Sequence, residues 1–258
     1  MNAGRQTIGV LHPGEMGAAL GARLREAGHD VLWAGEGRSA ATAERAAAAG
    51  LVDAGSPARL AEASDMVLSV CPPHAALAVA RDVAGRGGLF VDANAVSPAT
   101  VAGIRAVIDG AGGRFVDGGI VGPPPQRAGT TRLFLSGPEA DAVAAAFDGT
   151  VVETPVLGRD PGRASALKMA YAAWTKGTAA LLLAIRATAR AEGVEDALLA
   201  EWARSQPDAT GRSEAAADAA ARKGWRWIAE MEEIAATFAA AGQPDGFHLA
   251  AAEVYRSQ

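Results

Sequence analysis

The chain has 258 residues, 50% of them hydrophobic and 21% charged, with a formal net charge of −5 at neutral pH. This balance excludes a disordered or fibrous chain and gives no general nucleic-acid footprint. No apolar run reaches the roughly 18 residues of a membrane span, and residues 1–7 lack the order of a signal peptide, so a cytoplasmic protein without membrane attachment is expected.

The first 158 residues alternate short apolar runs with alanine-rich helical stretches. Strands are expected at 8–11, 31–34, 66–70, 89–91 and 114–116, with further short ones at 133–135 and 151–153. Helices are expected between them, at 16–27 and 40–49 among others. Gly28 stands where a helix C-terminal glycine belongs. Turn clusters at 72–73 and 122–125 follow strands. Such alternation predicts a parallel, doubly wound sheet. Beyond Pro161 the pattern is helical throughout. Residues 165–192 predict one long helix of roughly 28 residues, or about 42 Å. Helices at 195–204, 213–223, 225–241 and 247–255 follow.

The expected fold class is therefore α/β. A Rossmann-like doubly wound domain covers 1–158, and an all-α domain covers 159–258. A long interdomain helix joins them. That helix is apolar on more than one face, and few residues remain to cover it, so a homodimer is expected.

The first strand runs into His12-Pro13-Gly14-Glu15-Met16-Gly17, and a helix follows. This is the strand–turn–helix setting of a dinucleotide fingerprint. Gly14 lets the backbone approach a pyrophosphate. Gly17 lets helix and strand pack, and the helix N-terminus supplies N–H groups. The first glycine of the usual fingerprint is His12 here. The second strand leads into Glu36-Gly37-Arg38-Ser39. A carboxylate at this point would bind the ribose hydroxyl of NAD, and an arginine the 2′-phosphate of NADP. Arg38 followed by the Ser39 hydroxyl favours NADP, with NAD possible through Glu36. Ser39 also suits a helix N-cap.

Together these segments resemble the β-hydroxyacid dehydrogenase superfamily, which includes the 6-phosphogluconate dehydrogenase-like proteins. The resemblance is closest to the branch with a C-terminal DUF1932 domain. It implies that Val70, Cys71 and Pro72, after the strand at 66–70, run alongside the cofactor. It also implies that Asn94 stands where a superfamily serine contacts substrate. Around Asp117 the superfamily binds a carboxylate, and Val121 and Gly122 fall in that segment. Here Val121 replaces a serine and Pro123 a glycine, and proline has no N–H to donate. Lys168 falls on the superfamily's catalytic lysine. Ala172 replaces an asparagine one turn later.

The expected site follows. Lys168 is the general acid/base, its pKa lowered by partial desolvation and a cationic nicotinamide. Asn94 and Tyr171 assist in catalysis. Asn94, Val121, Gly122, Lys168, Tyr171 and Thr175 contact substrate, Thr175 lying on nearly the same helical face as Lys168. His12 to Gly17, Gly37 to Ser39, Val70 to Pro72 and Asn94 hold the cofactor. Tyr171 equally fits a core or interface position, and Lys176 either a second site cation or an exposed charge. His29 is expected to be structural. Asp92 and Asp117 suit a ligand or a loop cap, and Trp225 with Trp227 a core, an interface or a substrate wall. No Cys/His cluster has metal spacing, so no metal is expected, and Cys71 shows nothing that would activate its thiol. The function expected is NADP-dependent hydride transfer on a small alcohol/carbonyl substrate. The alternatives are imine or enamine reduction, or a dinucleotide-binding sensor without chemistry.

Overall fold

The computed structural model describes residues 4–86 and 88–257. The chain forms two compact units, Met1–Lys168 and Met169–Gln258. The first contains β1 (Thr7–Val10), α1 (Glu15–Glu26), β2 (Asp30–Trp33), α2 (Ala40–Ala48), β3 (Val52–Asp53), α3 (Pro57–Glu62) and β4 (Met66–Ser69). It continues with α4 (Ala76–Val83), β5 (Leu89–Asp92), α5 (Pro98–Gly110), β6 (Arg114–Val121), β7 (Thr131–Ser136), α6 (Ala140–Ala146) and β8 (Val152–Glu153). The helix α7 (Arg163–Ala172) carries the chain past Lys168. The second unit is then helical, with α8 (Thr178–Ala191), α9 (Glu195–Ser205), α10 (Ala209–Ala240) and α11 (Gly246–Arg256).

The strands form one sheet in the order β3-β2-β1-β4-β5-β6-β7-β8. All neighbours are parallel except β6 and β7, which pair antiparallel. The link between those two is too short for a parallel crossover. Side chains alternate across the sheet. Ile8, Val10, Met66, Leu68, Leu89 and Val91 face one core with Leu20 and Leu24 of α1. Val67, Phe90 and Phe115 face the other with Leu60, Val101 and Ile104. Helices thus cover both faces, which is why the central strands read as unbroken apolar runs.

Two helical expectations are corrected. Residues 213–223 and 225–241 lie in one helix, α10, because Gly224 continues it. A methyl group at Gly224 would make ordinary contact with Ala220 and Tyr255. A single glycine costs a helix only about 1 kcal/mol. The helix expected at 165–192 is interrupted by a π turn, Ala173–Gly177. Tyr255 donates its hydroxyl proton to the Lys176 carbonyl at 2.7 Å, within that turn. The short exposed strand β3 was not expected. Gly28 takes a positive φ of 96° just past α1, as the sequence suggested.

A buried carboxylate organises the end of the first unit. Asp117 is fully buried in β6. Its Oδ2 accepts from Ser136 Oγ at 2.8 Å, from the Gly162 N–H at 2.8 Å and from the Ser165 N–H at 3.1 Å. Its Oδ1 accepts from Ser165 Oγ at 2.6 Å. Ser136 Oγ in turn accepts from the Ala164 N–H at 3.1 Å. The donors that open α7, which no residue within the helix can satisfy, are met by β6 and β7. Of its two sequence-level readings, Asp117 takes the cap.

Asp117→Ala leaves several buried donors unpaired and should cost about 3–5 kcal/mol of unfolding free energy. Asp30→Ala removes an exposed, solvent-screened ion pair to Arg5 and should leave stability nearly unchanged. Urea unfolding of the two variants checks the contrast.

Candidate functional site

The strand order reverses direction at β1. The chain leaves β1 for β2 on one side and later returns to β4 on the other. Ligands of open α/β sheets bind in the crevice this creates at the carboxyl ends of the strands. Four of the expected segments meet at that edge: the turn after β1, the loop after β2, the loop after β4 and Asn94 after β5.

In the turn after β1, Gly14 is the N-cap of α1, with φ −64° and ψ −171°. A Cβ placed on Gly14 would meet nothing within 4 Å, so its Cα faces open space. A Cβ on Gly17 would lie 2.4 Å from the His12 carbonyl oxygen, so α1 can sit this close only with glycine there. Glu15 and Met16 form the first turn of α1. His12 has its Nδ1 buried without a hydrogen-bond partner. Burial first, and the charge of Arg38 second, push its pKa down to about 4. The residues therefore fit a dinucleotide. A helix N-terminus points its N–H groups at a cradle that any side chain would fill, beside an orphaned imidazole nitrogen.

The loop after β2 is held by backbone and by Asp53 of β3. The Asp53 carboxylate accepts from the Gly35 N–H at 3.0 Å and the Gly55 N–H at 2.8 Å, and the Glu36 N–H donates to the Gly55 carbonyl. Gly37 has φ 69°, a conformation that favours glycine. Ser39 Oγ accepts from the Thr42 N–H and caps α2. Glu36 and Arg38 are exposed. Arg45 of α2 donates to the Pro13 carbonyl at 3.2 Å. Asp53 and Arg45 were missed because their partners lie on other elements. Their spacing from Gly35 and Arg38 was the one available signal.

Asn94 is buried, and its amide is committed to the scaffold. Its Nδ2 donates to Ser69 Oγ at 3.1 Å and to Asp92 Oδ1, and its Oδ1 accepts the Cys71 N–H. This ties the Val70–Pro72 loop to the end of β5. Burial first, and the Asp92 charge second, push the Cys71 thiol up to about 12, so it is not activated.

Next to β5, Gly118 and Gly119 of β6 leave room for neighbours. A Cβ on Gly118 would meet the Asp92 carbonyl oxygen at 3.0 Å. One on Gly119 would meet the Ala164 carbonyl oxygen at 2.6 Å and Lys168 Cβ at 3.0 Å. Half-buried Lys168 thus stands one turn into α7 against β6, in the same unit as the dinucleotide turn. Val121 is buried, and Gly122, at φ 114°, approaches the Thr130 carbonyl too closely for a side chain. Neither offers a side-chain donor to a carboxylate.

The remaining expected residues belong to the second unit. Tyr171 is 46% exposed. Thr175 donates within its own helix, to the carbonyls of Tyr171 and Ala172. The π turn also breaks the repeat that placed Thr175 on one face with Lys168. Lys176 is neither an exposed charge nor a free cation. Its ammonium pairs with the Glu230 carboxylate at 2.7 Å and lies 6.0 Å from the Trp227 ring. Trp227 packs edge-on to Tyr255, while Trp225 is exposed. In the first unit, His29 is structural, accepting from the Gln6 N–H at Nδ1 with its Nε2 on the Ala146 carbonyl. Among the described residues, no group of three or more His, Cys, Asp or Glu could hold a metal ion. No helix among them is long and apolar enough to cross a membrane.

His12 stays neutral well below its ordinary range of about 6.5. As pH falls below 6.5 the unfolded chain takes up a proton that the folded chain refuses until near pH 4. Stability should therefore fall through that window. His12→Asn should show a flatter decline in Tm between pH 7 and pH 4.5.

Comparison with known proteins agrees with this geometry. Residues 7–148, more than half of the chain, match the model of the NAD binding domain of 6-phosphogluconate dehydrogenase. Residues 189–258 match DUF1932, a domain of unknown function. Among proteins of curated function, none matches. A conserved protein of unknown function, described as structurally similar to 3-hydroxyacid dehydrogenases, is 29% identical with a TM-score of 0.70, covering 97% of this chain and 96% of its own. The 3-hydroxyisobutyrate dehydrogenase of Mycobacterium tuberculosis, with L-serine, shares the fold at 20% identity and a TM-score of 0.70, over 98% and 93% of the two chains. A reductive aminase from Aspergillus terreus, with NADPH and ethyl-5-oxohexanoate, shares it at 19% identity and 0.61, again over 98% and 93%. The chain belongs to the 6-phosphogluconate dehydrogenase-like family of NAD-binding proteins, in a form that carries a DUF1932 domain.

Proposed function

We propose that the protein is an NADP-dependent oxidoreductase that interconverts a small alcohol and its carbonyl compound, with Lys168 as general acid/base. The observation that carries this reading is the sheet edge. One unit holds the dinucleotide turn, the Arg38–Ser39 loop and a lysine seated on β6 by the Asp117 cap. When bound, the nicotinamide accepts or supplies the hydride. Lys168 takes the hydroxyl proton during oxidation and returns it to the carbonyl oxygen during reduction. Such proton transfer contributes about 10²–10⁴-fold.

Arg38 and Ser39 are assigned to the 2′-phosphate. His12 to Gly17 take the pyrophosphate, and Gly37 allows the loop its shape. Val70, Cys71 and Pro72 flank the nucleotide and depend on Asn94 for their position. We assign the substrate to Lys168, Val121, Gly122 and Tyr171, while Asn94 acts through the loop it holds. Among these, Lys168 bears the chemistry and Tyr171 assists.

A second reading, reduction of a C=N bond, is favoured by the segment after β6. Val121 is buried, and Pro123 has no N–H and accepts from Thr131 Oγ instead. A substrate without a carboxylate suits that segment.

We also propose a homodimer in the cytoplasm. In the second unit Trp174, Leu181, Phe247 and Leu249 are exposed, and the first three line an apolar groove of about 530 Å³. A second copy of the chain would cover it.

Fluorescence titration with NADPH and NADH tests the cofactor. NADPH should bind at least about tenfold more tightly, and Arg38→Ala should abolish the preference. Lys168→Ala should keep NADPH affinity and lower turnover in a carbonyl and imine screen by about 10²-fold or more. Equal loss of both would sink the catalytic assignment. Light scattering at micromolar concentration should give twice the 26.0 kDa chain mass.

A further inference from the structure

We propose that Arg45 is a positioning and specificity-determining residue for the nucleotide, the second cation of the 2′-phosphate site beside Arg38. The proposal rests on the NADP reading above. Arg45 lies in α2, whose cap Ser39 directly follows Arg38 in the loop. From α2 it reaches across to donate to the Pro13 carbonyl at 3.2 Å. Pro13 immediately precedes Gly14, whose Cα faces the open cradle. The side chain therefore bridges the two places where a dinucleotide must rest, the phosphate turn after β1 and the loop after β2.

One further polar side chain shares that helix face among small alanines. Thr42 lies one turn before Arg45 and so points the same way. Its hydroxyl is 3.1 Å from that of Ser39, the cap of α2. Two hydroxyls and a guanidinium thus run from the start of α2 toward the phosphate turn. A guanidinium carries five N–H donors in a fixed fork. Among the described residues, the Pro13 carbonyl is the one hydrogen-bond partner of the Arg45 guanidinium, and no carboxylate forms a salt bridge with it. A half-buried guanidinium held by a neutral carbonyl keeps its charge for an anion. An adenosine phosphate entering between loop and turn passes this side chain.

Two effects of Arg45 can be separated. Holding Pro13 shapes the turn, and that helps any nucleotide. The charge helps only a nucleotide with a phosphate on the ribose. Calorimetric titration of the full chain with adenosine 2′,5′-bisphosphate and with adenosine 5′-monophosphate distinguishes them. Arg45→Met should weaken the bisphosphate roughly ten- to hundredfold and the monophosphate less than about threefold. Arg45→Lys keeps the charge without the fork and should fall between, and it serves if the methionine variant fails to fold. Equal weakening of both ligands would reduce Arg45 to a staple and overturn the proposal, as would no weakening. A native chain that does not prefer the bisphosphate would remove the NADP reading itself, and this inference with it. A native preference that survives in both Arg45 variants would remove the inference alone.

Discussion

A buried negative charge at the end of the sheet sets the geometry on which the rest of the molecule depends. Asp117 would be costly to bury without partners. It instead accepts hydrogen bonds from residues 19, 45 and 48 positions further along the chain. Those partners come from β7 and from the start of α7. One carboxylate therefore fixes where the antiparallel strand joins the sheet and where the lysine-bearing helix begins. The neighbouring glycines are part of the same constraint. With any side chain at Gly119, the backbone of α7 could not lie where the carboxylate draws it. Strand and helix are specified together.

That arrangement explains which parts of the fold were legible in the sequence. Central strands are covered on both faces, so their apolar runs stand out, and β1, β2, β4 and β5 appear within a residue or two of the expected places. The Gly14–Gly17 turn and the Ser39 cap were legible because their chemistry is local. β3 was not, having only two residues, both exposed. Gly224 suggested a break because glycine weakens a helix, yet it lies within one continuous helix of 32 residues. The π turn left no local mark either. The groups that hold it, Glu230 and Tyr255, are 54 and 79 residues from Lys176. Interactions of that reach cannot be read from spacing.

The candidate site divides along the same line. The turn residues proposed to face the cofactor owe their shape to local turn chemistry, so that shape was legible. Residues assigned to substrate were inferred by likeness, and there the surroundings matter more than the residue type. Asn94 could act as donor or acceptor toward a ligand, but its amide is engaged with Ser69, Asp92 and the Cys71 backbone. On the proposed reading it works through the loop it holds. The segment after β6 offers apolar bulk where its superfamily counterparts offer hydrogen bonds. Lys168, to which we assign proton transfer, is therefore set beside a segment that lacks the side-chain donors a carboxylate would need.

The loop after β2 has a consequence for how such a protein changes over time. Its path is set by main-chain groups, by Asp53 at one end and by the Ser39 cap at the other. The side chains of Glu36 and Arg38 make no part of that scaffold. They can be exchanged without redrawing the backbone, so on the proposed assignment nucleotide preference is set by side chains that the sheet beneath does not depend on.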